Sequence, residues 1–477
     1  MEFGLGKVDI TPPIGTQLIG QPEQLESDGK YTELNVRALY LGSEGSEIII
    51  ITCDLLFLPK SDMDHLREKI TKRTSVRFQD ILIHTTHTHA GPSVTRLFNE
   101  DNVDPVVSNL IHEGIVQSAL HAYKHKRRGF IGYGRACRND LAFNRRYVMK
   151  DGSVELHPFK DDPRLLSPEG PADPEINVMV LQDSRHVPVA TVANFSCHLT
   201  SLERNNRKFS ADFPYFAEKN LMQHFANKDF VLLYLNGPCG NVCQINVENK
   251  NACEVGIEHT ERMGKKFSDS ILGVIEHPEM LDRDFEIQTL YREINIPIRS
   301  ITEKMLREAE ETVSKYRGKK LGVKNLSNYG VESYKDGSVI SANTLLKTEF
   351  WKNAEAGELL KLHELYKDDN REAVPLTVMS IGPLLLVTTP AELFVEFSLE
   401  LKRKFKRKYS AVFVVELVNG WVGYVPTKKA FQPEDGGYEV QFLNSSKLSE
   451  DAGDTMVNEI IDMEKQLTKN RTGGGKI

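Results

Sequence analysis

Strand-length apolar runs and amphipathic stretches follow one another in the same order at three places along the chain. The first begins with apolar runs over 36–41 and 47–52, separated by a turn at 42–45. Runs that are apolar at consecutive positions mark strands covered on both faces. An amphipathic stretch over 61–73 then predicts a helix, and 80–83 a third strand. The order returns as strands over 176–181 and 187–195 about a turn near 183–185, a helix over 213–225 and a strand over 230–235. It returns again as strands over 376–380 and 384–388 about a turn at 382–383, a helix over 392–404 and a strand over 412–417. Strand–helix–strand with short connections requires crossovers. The expected fold is therefore α/β, with mixed β-sheets flanked by helices and built from repeated β-β-α-β units.

Between the second and third copies the pattern changes. The stretch 245–375 is polar, helix-rich and short of strand patterning, with helices expected over 301–317 and 349–366, and it reads as a connector or insertion. No low-complexity linker divides the chain, so 1–477 is expected to form a single domain ending in a flexible tail over 469–477. Apolar residues make up 40% and charged residues 27%, which excludes a fibrous or disordered chain. Sixty Lys and Arg stand against 67 Asp and Glu, net −7, and this removes any broad electrostatic case for nucleic acid. No apolar run approaches the ~18 residues that cross a bilayer. The first residues lack the basic start and apolar stretch of a signal peptide. The six cysteines are too few for a disulfide framework and read as reduced thiols, so a cytoplasmic location is expected.

In each unit polar residues gather where strands end, at Asp54, His198 and the run Thr389 to Glu392. Loops beyond strand ends are where functional groups converge in such sheets. His84, His87 and His89 follow an apolar strand. In extended backbone positions i and i+2 share a face, so His87 and His89 are expected to point the same way, as a metal site or a metal plus a proton carrier needs. His84 is out of phase and reads as a packed or hydrogen-bonded histidine. Taken singly, His198 reads as a core histidine at a strand tip, Glu392 as an acid in a first helical turn, and Tyr424 as a loop aromatic.

Taken together, these residues fall into recognisable company. His87-Thr88-His89-Ala90-Gly91-Pro92 resembles the T-H-T-H-S-G-P segment of neutral/alkaline ceramidases and their shorter bacterial relatives. The opening from Gly6 to Gly15, Cys53-Asp54-Leu55-Leu56, Asn144-Arg145-Arg146, Cys197 to Ser201, Pro390-Ala391-Glu392 and Gly423-Tyr424-Val425-Pro426-Thr427 resemble that family's other motifs in the same order. The resemblance implies a Zn²⁺ site held by His87, His198, Glu392 and Tyr424, with His89 moving a proton and Arg145 and Tyr424 steadying the oxyanion. Such a site implies hydrolysis of an amide in an N-acyl compound, a small-molecule or lipid substrate. The alternatives are an ester, lactone or carbohydrate derivative on the same zinc, or a binding protein without turnover. The oligomeric state is left open.

Two departures bear on this reading. The family's G-D-V-S-P-N stretch, with its serine, corresponds here to Gly240-Asn241-Val242-Cys243-Gln244-Ile245-Asn246. Cys243 is thus a candidate thiol nucleophile, against the alternative of a buried inert cysteine. The chain is also short of the C-terminal β domain of secreted ceramidases, and the stretch Asp435 to Val440 resembles the smaller relatives. Ceramide itself is a doubtful substrate on these grounds. The basic run Lys402 to Lys408 reads as a solvated helix end, or else as a membrane-docking patch. Asp54 and Asp212 are candidate acceptors for the ligand histidines, with capping as the competing role for Asp212.

Overall fold

The computed structural model describes residues 1–20, 25–95, 103–282, 285–323, 325–335, 338–432 and 436–473, with the backbone alone from 470 onward. All three units appear, and each has one strand more than expected. In the first sheet Glu2–Asp9 runs antiparallel to Asn35–Ser43, which runs antiparallel to Ser46–Cys53. The helix Lys60–Thr71 then returns the chain to Ile81–Thr85, parallel to Ser46–Cys53. The second sheet repeats this with Phe130–Cys137, Glu175–Gln182, Pro188–Phe195, the helix Phe213–His224 and Val231–Asn236. The third uses Ile287–Pro297, Arg371–Ile381, Leu384–Thr388, the helix Val395–Phe405 and Ala411–Val415.

Side chains alternate between the faces of a strand, and here both faces are buried. Leu39, Leu41, Ile48, Ile50 and Leu82 of the first sheet meet Met179, Leu181, Val192, Leu233 and Leu235 of the second. Met379, Ile381, Leu386, Phe413 and Val415 of the third complete the same cluster, so one core is shared by three sheets. The intervening residues face outward onto helices: Tyr40, Ile49 and Ile51, for example, pack with Met63, Leu66 and Ile115. This double burial is why the strands read as continuous apolar runs.

The last strand of each unit is an edge of its sheet. An uncovered edge exposes unpaired backbone groups, and here buried asparagines and strand-end contacts join the sheets instead. Asn194 donates to Val414 O at 3.0 Å, and Asn419 Oδ1 accepts from Ile83 N at 2.9 Å. The Asn236 backbone N–H donates to His84 Nε2 at 3.1 Å, so His84 is hydrogen-bonded, as expected from its phase.

The stretch 245–375 differs from expectation. Helices form at Glu303–Tyr316 and Glu349–Tyr366, but Ile287–Pro297 is an eleven-residue edge strand of the third sheet. Its middle residues are only half buried, so it lacks the continuous apolar run that marks the inner strands. The helix Ile257–Glu276 places Met263, Phe267, Ile271 and Ile275 on the outer face of the second sheet. The final helix, Ala452–Gly473, enters the stretch expected as a flexible tail, of which 474–477 lie outside the described residues. Asp435 also lies outside them. All six cysteines are free. Among the described residues no helix is long and apolar enough to cross a membrane.

Two members of the basic run pair within the fold, and Arg403, Lys404, Lys406 and Arg407 are exposed. Lys402 pairs with Asp173 at 2.8 Å and Lys408 with Glu464.

Candidate metal centre and its cavity

His87 does not sit in extended backbone. The strand ends at Thr85, and His87 has φ 69°, a left-handed conformation that a β-carbon disfavours. The loop from Cys53 to Leu56 imposes it: Thr86 N donates to Cys53 O, and His87 N to Leu55 O, both at 2.9 Å. His87 Nδ1 lies 3.0 Å from Leu56 O. A ring nitrogen facing a carbonyl oxygen must carry the proton, so in the neutral ring Nε2 is bare. His198 is held likewise, with its Nδ1 2.8 Å from Cys239 O and its backbone N–H on Val242 O. His89 follows the same rule, with Nδ1 3.0 Å from Gly20 O and Nε2 buried without a partner.

The three Nε2 atoms therefore face one another in a buried space, where, against the lowering effect of burial, Glu392 raises the pKa of His87. The ligand atoms of His87, His89 and His198 all lie within 4.8 Å of one another, and His87 Nε2 is 3.0 Å from His198 Nε2. Two lone pairs at that distance repel unless a cation or a proton lies between them. Glu392 supplies the charge. Its Oε2 is 3.3 Å from His87 Nε2 and 3.8 Å from His198 Nε2, and it has no hydrogen-bond donor. The other oxygen accepts from Trp421 Nε1 at 2.9 Å. Burial pushes the Glu392 carboxyl up, but His87, Trp421 and Tyr424 outweigh it and hold it at about 2. Burial and the neighbouring His87 lower His89 to about 3, and burial with Arg145 keeps His198 well below the ordinary histidine range.

Glu392 is not in a first helical turn. It lies in a two-residue strand that pairs in parallel with Tyr424–Val425, three residues before the helix, and this pairing carries Tyr424 to the site. Tyr424 OH is 3.5 Å from His198 Nε2. Ligand atoms around a tetrahedral Zn²⁺ with ~2.0–2.1 Å bonds are about 3.3 Å apart. The separations of 3.0, 3.3, 3.5 and 3.8 Å lie around that value.

Arg145 completes the floor. Its Nε donates to Glu439 Oε1 at 3.1 Å and its Nη2 to Gly240 O at 2.7 Å, while the guanidinium lies over the rings of Tyr424 and Tyr438. A β-carbon on Gly240 would lie 2.5 Å from Glu392 O, so only glycine allows this loop to run between Arg145 and Glu392.

Above these groups is a cavity of about 130 Å³. The wall opposite the sheets comes from 326–351 and includes Tyr329, Leu345 and Trp351.

Three expected site residues are elsewhere. Cys243 pairs with Phe143 and is buried among Tyr147, Met149 and Ile245, off the cavity, where burial pushes its thiol up to about 11. A thiol so placed is neither ionised nor accessible. Asp54 touches no histidine: it accepts from Asn35 N and Arg37 Nη1, each at 2.8 Å. Asp212 caps the helix Phe213–His224 and holds Ser201. Backbone carbonyls take the role expected of these carboxylates, and the Cys53–Leu56 motif acts through its main chain. His157 and Arg204 escaped sequence reading, since nothing in their local pattern separates them from ordinary loop residues. Tyr438 and Glu439 lie in the stretch that resembles the smaller relatives, and Trp421 in the loop before Tyr424.

This geometry agrees with what the chain resembles. The family model described as neutral/alkaline non-lysosomal ceramidase, N-terminal, matches residues 1–262, a stretch that holds His87, His89, Arg145 and His198. Neutral ceramidase A of Dictyostelium discoideum is 24% identical over 229 residues, 44% of this chain and 30% of that protein. The match thus spans less than a third of the curated relative. A solved structure titled "Ceramidase complexed with C2" superposes with a TM-score of 0.72 at 18% identity, over 98% of this chain and 75% of its own. Neutral ceramidase from Pseudomonas aeruginosa gives 0.69 at 19%, over 97% and 73%. These structures extend the shared fold past residue 262 to the sheet that carries Glu392 and Tyr424. With over half of its length matching the family model, the chain belongs to the neutral/alkaline non-lysosomal ceramidase family.

Proposed function

We propose that this protein is a zinc-dependent hydrolase that cleaves the amide bond of an N-acyl compound. The observation that carries the reading is the convergence of the Nε2 atoms of His87, His89 and His198 with Oε2 of Glu392. His87, His198, Glu392 and Tyr424 would hold the ion. Zinc bound there would supply a Lewis acid that polarises a carbonyl and lowers the pKa of water.

The side chains around it have separate tasks. His89 is neutral, with Nδ1 held by Gly20 O, so its free Nε2 can take the proton of the attacking water and return it to the leaving nitrogen. Arg145 cannot lose its charge and is clamped by Glu439 and Gly240. It offers a fixed positive group to the carbonyl oxygen as negative charge develops there. The buried phenol of Tyr424, kept protonated by burial and by Glu392, can donate to the same oxygen. Apolar and aromatic walls exclude water from the acyl side.

Metal analysis of the purified chain should find zinc, and a panel of N-acyl amides with matching esters should show amide cleavage that chelator abolishes. Absence of zinc, together with undiminished activity in His87→Ala, would refute the reading.

A further inference from the structure

The cavity wall away from the histidines carries a charge that no described residue answers. Arg204 lies on the loop after His198 and lines the cavity. Its backbone N–H is fixed by Asn328 Oδ1 at 2.8 Å, which ties this loop to the 326–329 wall. Its Nε is buried and has no hydrogen-bond partner. Among the described residues no carboxylate lies within ion-pairing distance of it. The neighbouring Glu203 turns instead toward Gly256. Arg145, the other cavity arginine, is by contrast matched by Glu439.

The remaining lining sharpens the asymmetry. Among the described residues Glu392 is the only acidic one on the cavity wall, and it faces the histidine cluster. His157 and Tyr329 stand on the wall with ring centroids 5.4 Å apart, and both adopt left-handed backbone, φ 46° and 59°. Two non-glycine residues held in that region beside one cavity are a mark of a shaped binding wall. Burial of an unpaired guanidinium nitrogen is costly, and an anion seated against it removes that cost. The space is small: about 130 Å³, comparable to the ~150 Å³ cavity that admits one benzene. That volume suits a compact headgroup, and a single unmatched cation suits a monoanion.

We infer that Arg204 anchors a carboxylate on the substrate, so that the compounds taken by this site are N-acyl amides of the amino-acid class, in which a carboxylate accompanies the scissile amide. The inference rests on the amidase reading above and narrows it. Arg204 is a specificity residue: it binds the end of the substrate that does not react.

The test uses the zinc-loaded full chain and three matched amides: N-hexanoylglycine, its neutral glycinamide analogue and N-hexanoyl phosphoethanolamine. The expected kcat/KM favours the carboxylate over the neutral amide by at least about tenfold, as a charge-assisted contact predicts. Arg204→Met should bring that ratio to about one, mainly through KM, with zinc content retained. Arg204→Lys should restore part of it, and Arg204→Glu should turn the preference toward a cationic amide such as N-hexanoyl ethylenediamine. A wild-type ratio near one, or a ratio that survives in Arg204→Met, would overturn the inference. Preference for the phosphate compound would overturn the choice of carboxylate. If no amide is cleaved, the amidase reading fails by itself, and calorimetry still decides this one. Tighter binding of the carboxylate compound that Arg204→Met removes supports it, and equal binding of charged and neutral compounds overturns it.

Discussion

Two clusters of buried charge lie at strand ends in this molecule, and they are built to opposite rules. Around Arg37 every group is answered: Asp54 takes Nη1 at 2.8 Å, and Glu218 takes Nε and Nη2 at 3.1 and 2.8 Å. Lys7 adds a second cation to Glu218 at 2.8 Å. At the histidine centre the acceptors outnumber the donors, with bare nitrogens and a carboxylate oxygen turned toward one point. A closed network is complete as folded and holds the first sheet to the helix Phe213–His224. An open one is complete only with something added. Burial alone therefore does not separate structural charge from functional charge. The balance of donors and acceptors does.

The sharpest way to break the comparison is to remove a ligand from the open cluster. His198→Ala should lower zinc from about one ion per chain to near zero and activity to background, measured by metal analysis and turnover, while the fold persists. Retained zinc would erase the distinction. Arg37→Met should do the reverse. It leaves Asp54 and Glu218 as buried carboxylates without their cation, so stability should fall by about 3–5 kcal/mol in denaturant titration while zinc content at low denaturant is kept. A smaller effect is expected from Gly240→Ala, whose β-carbon would press on Glu392 O. Displacing the loop that supports both Arg145 and Glu392 should weaken zinc binding by about 10–100-fold in competition with a chelator.

The smallest effect concerns His84, which lies three residues from His87 and accepts from Asn236 N through its Nε2. Burial and the neighbouring His87 lower its pKa to about 3 from the ordinary 6.5. The unfolded chain takes up the proton first as pH drops, so this contribution to stability is full above 6.5 and is lost progressively toward pH 3. His84→Gln should flatten that part of the stability–pH curve and leave zinc content alone. A mutant curve as steep as that of the wild type would reassign the pH dependence to other groups.

How much was legible beforehand follows from how local each signal is. The helix Lys60–Thr71 and the strands beside it lie within two or three residues of their expected bounds, because double burial writes itself as continuous apolar runs. The strand Ile287–Pro297 was missed because an edge strand with one open face carries no such run. The convergence of His87 and His89 was expected from extended backbone, but it arises from a left-handed turn held by Leu55 and Leu56. Cys243 stood out by its place in a motif, yet its side chain points into a small core of Tyr147, Met149 and Ile245.

The residues by themselves determined that three similar units would form, that each would bury both faces of its strands, and that ligand-type side chains would cluster at the strand ends. Those outcomes follow from periodicity and from short-range backbone chemistry, which neighbouring residues settle among themselves. Only the tertiary structure decided which ring nitrogens face carbonyl oxygens, that Glu392 pairs with Tyr424, and that Arg204 faces a cavity with no counterion among the described residues. These depend on contacts between residues well separated in the chain, such as Glu392 with Tyr424 or Arg145 with Glu439, and no local pattern encodes the partner.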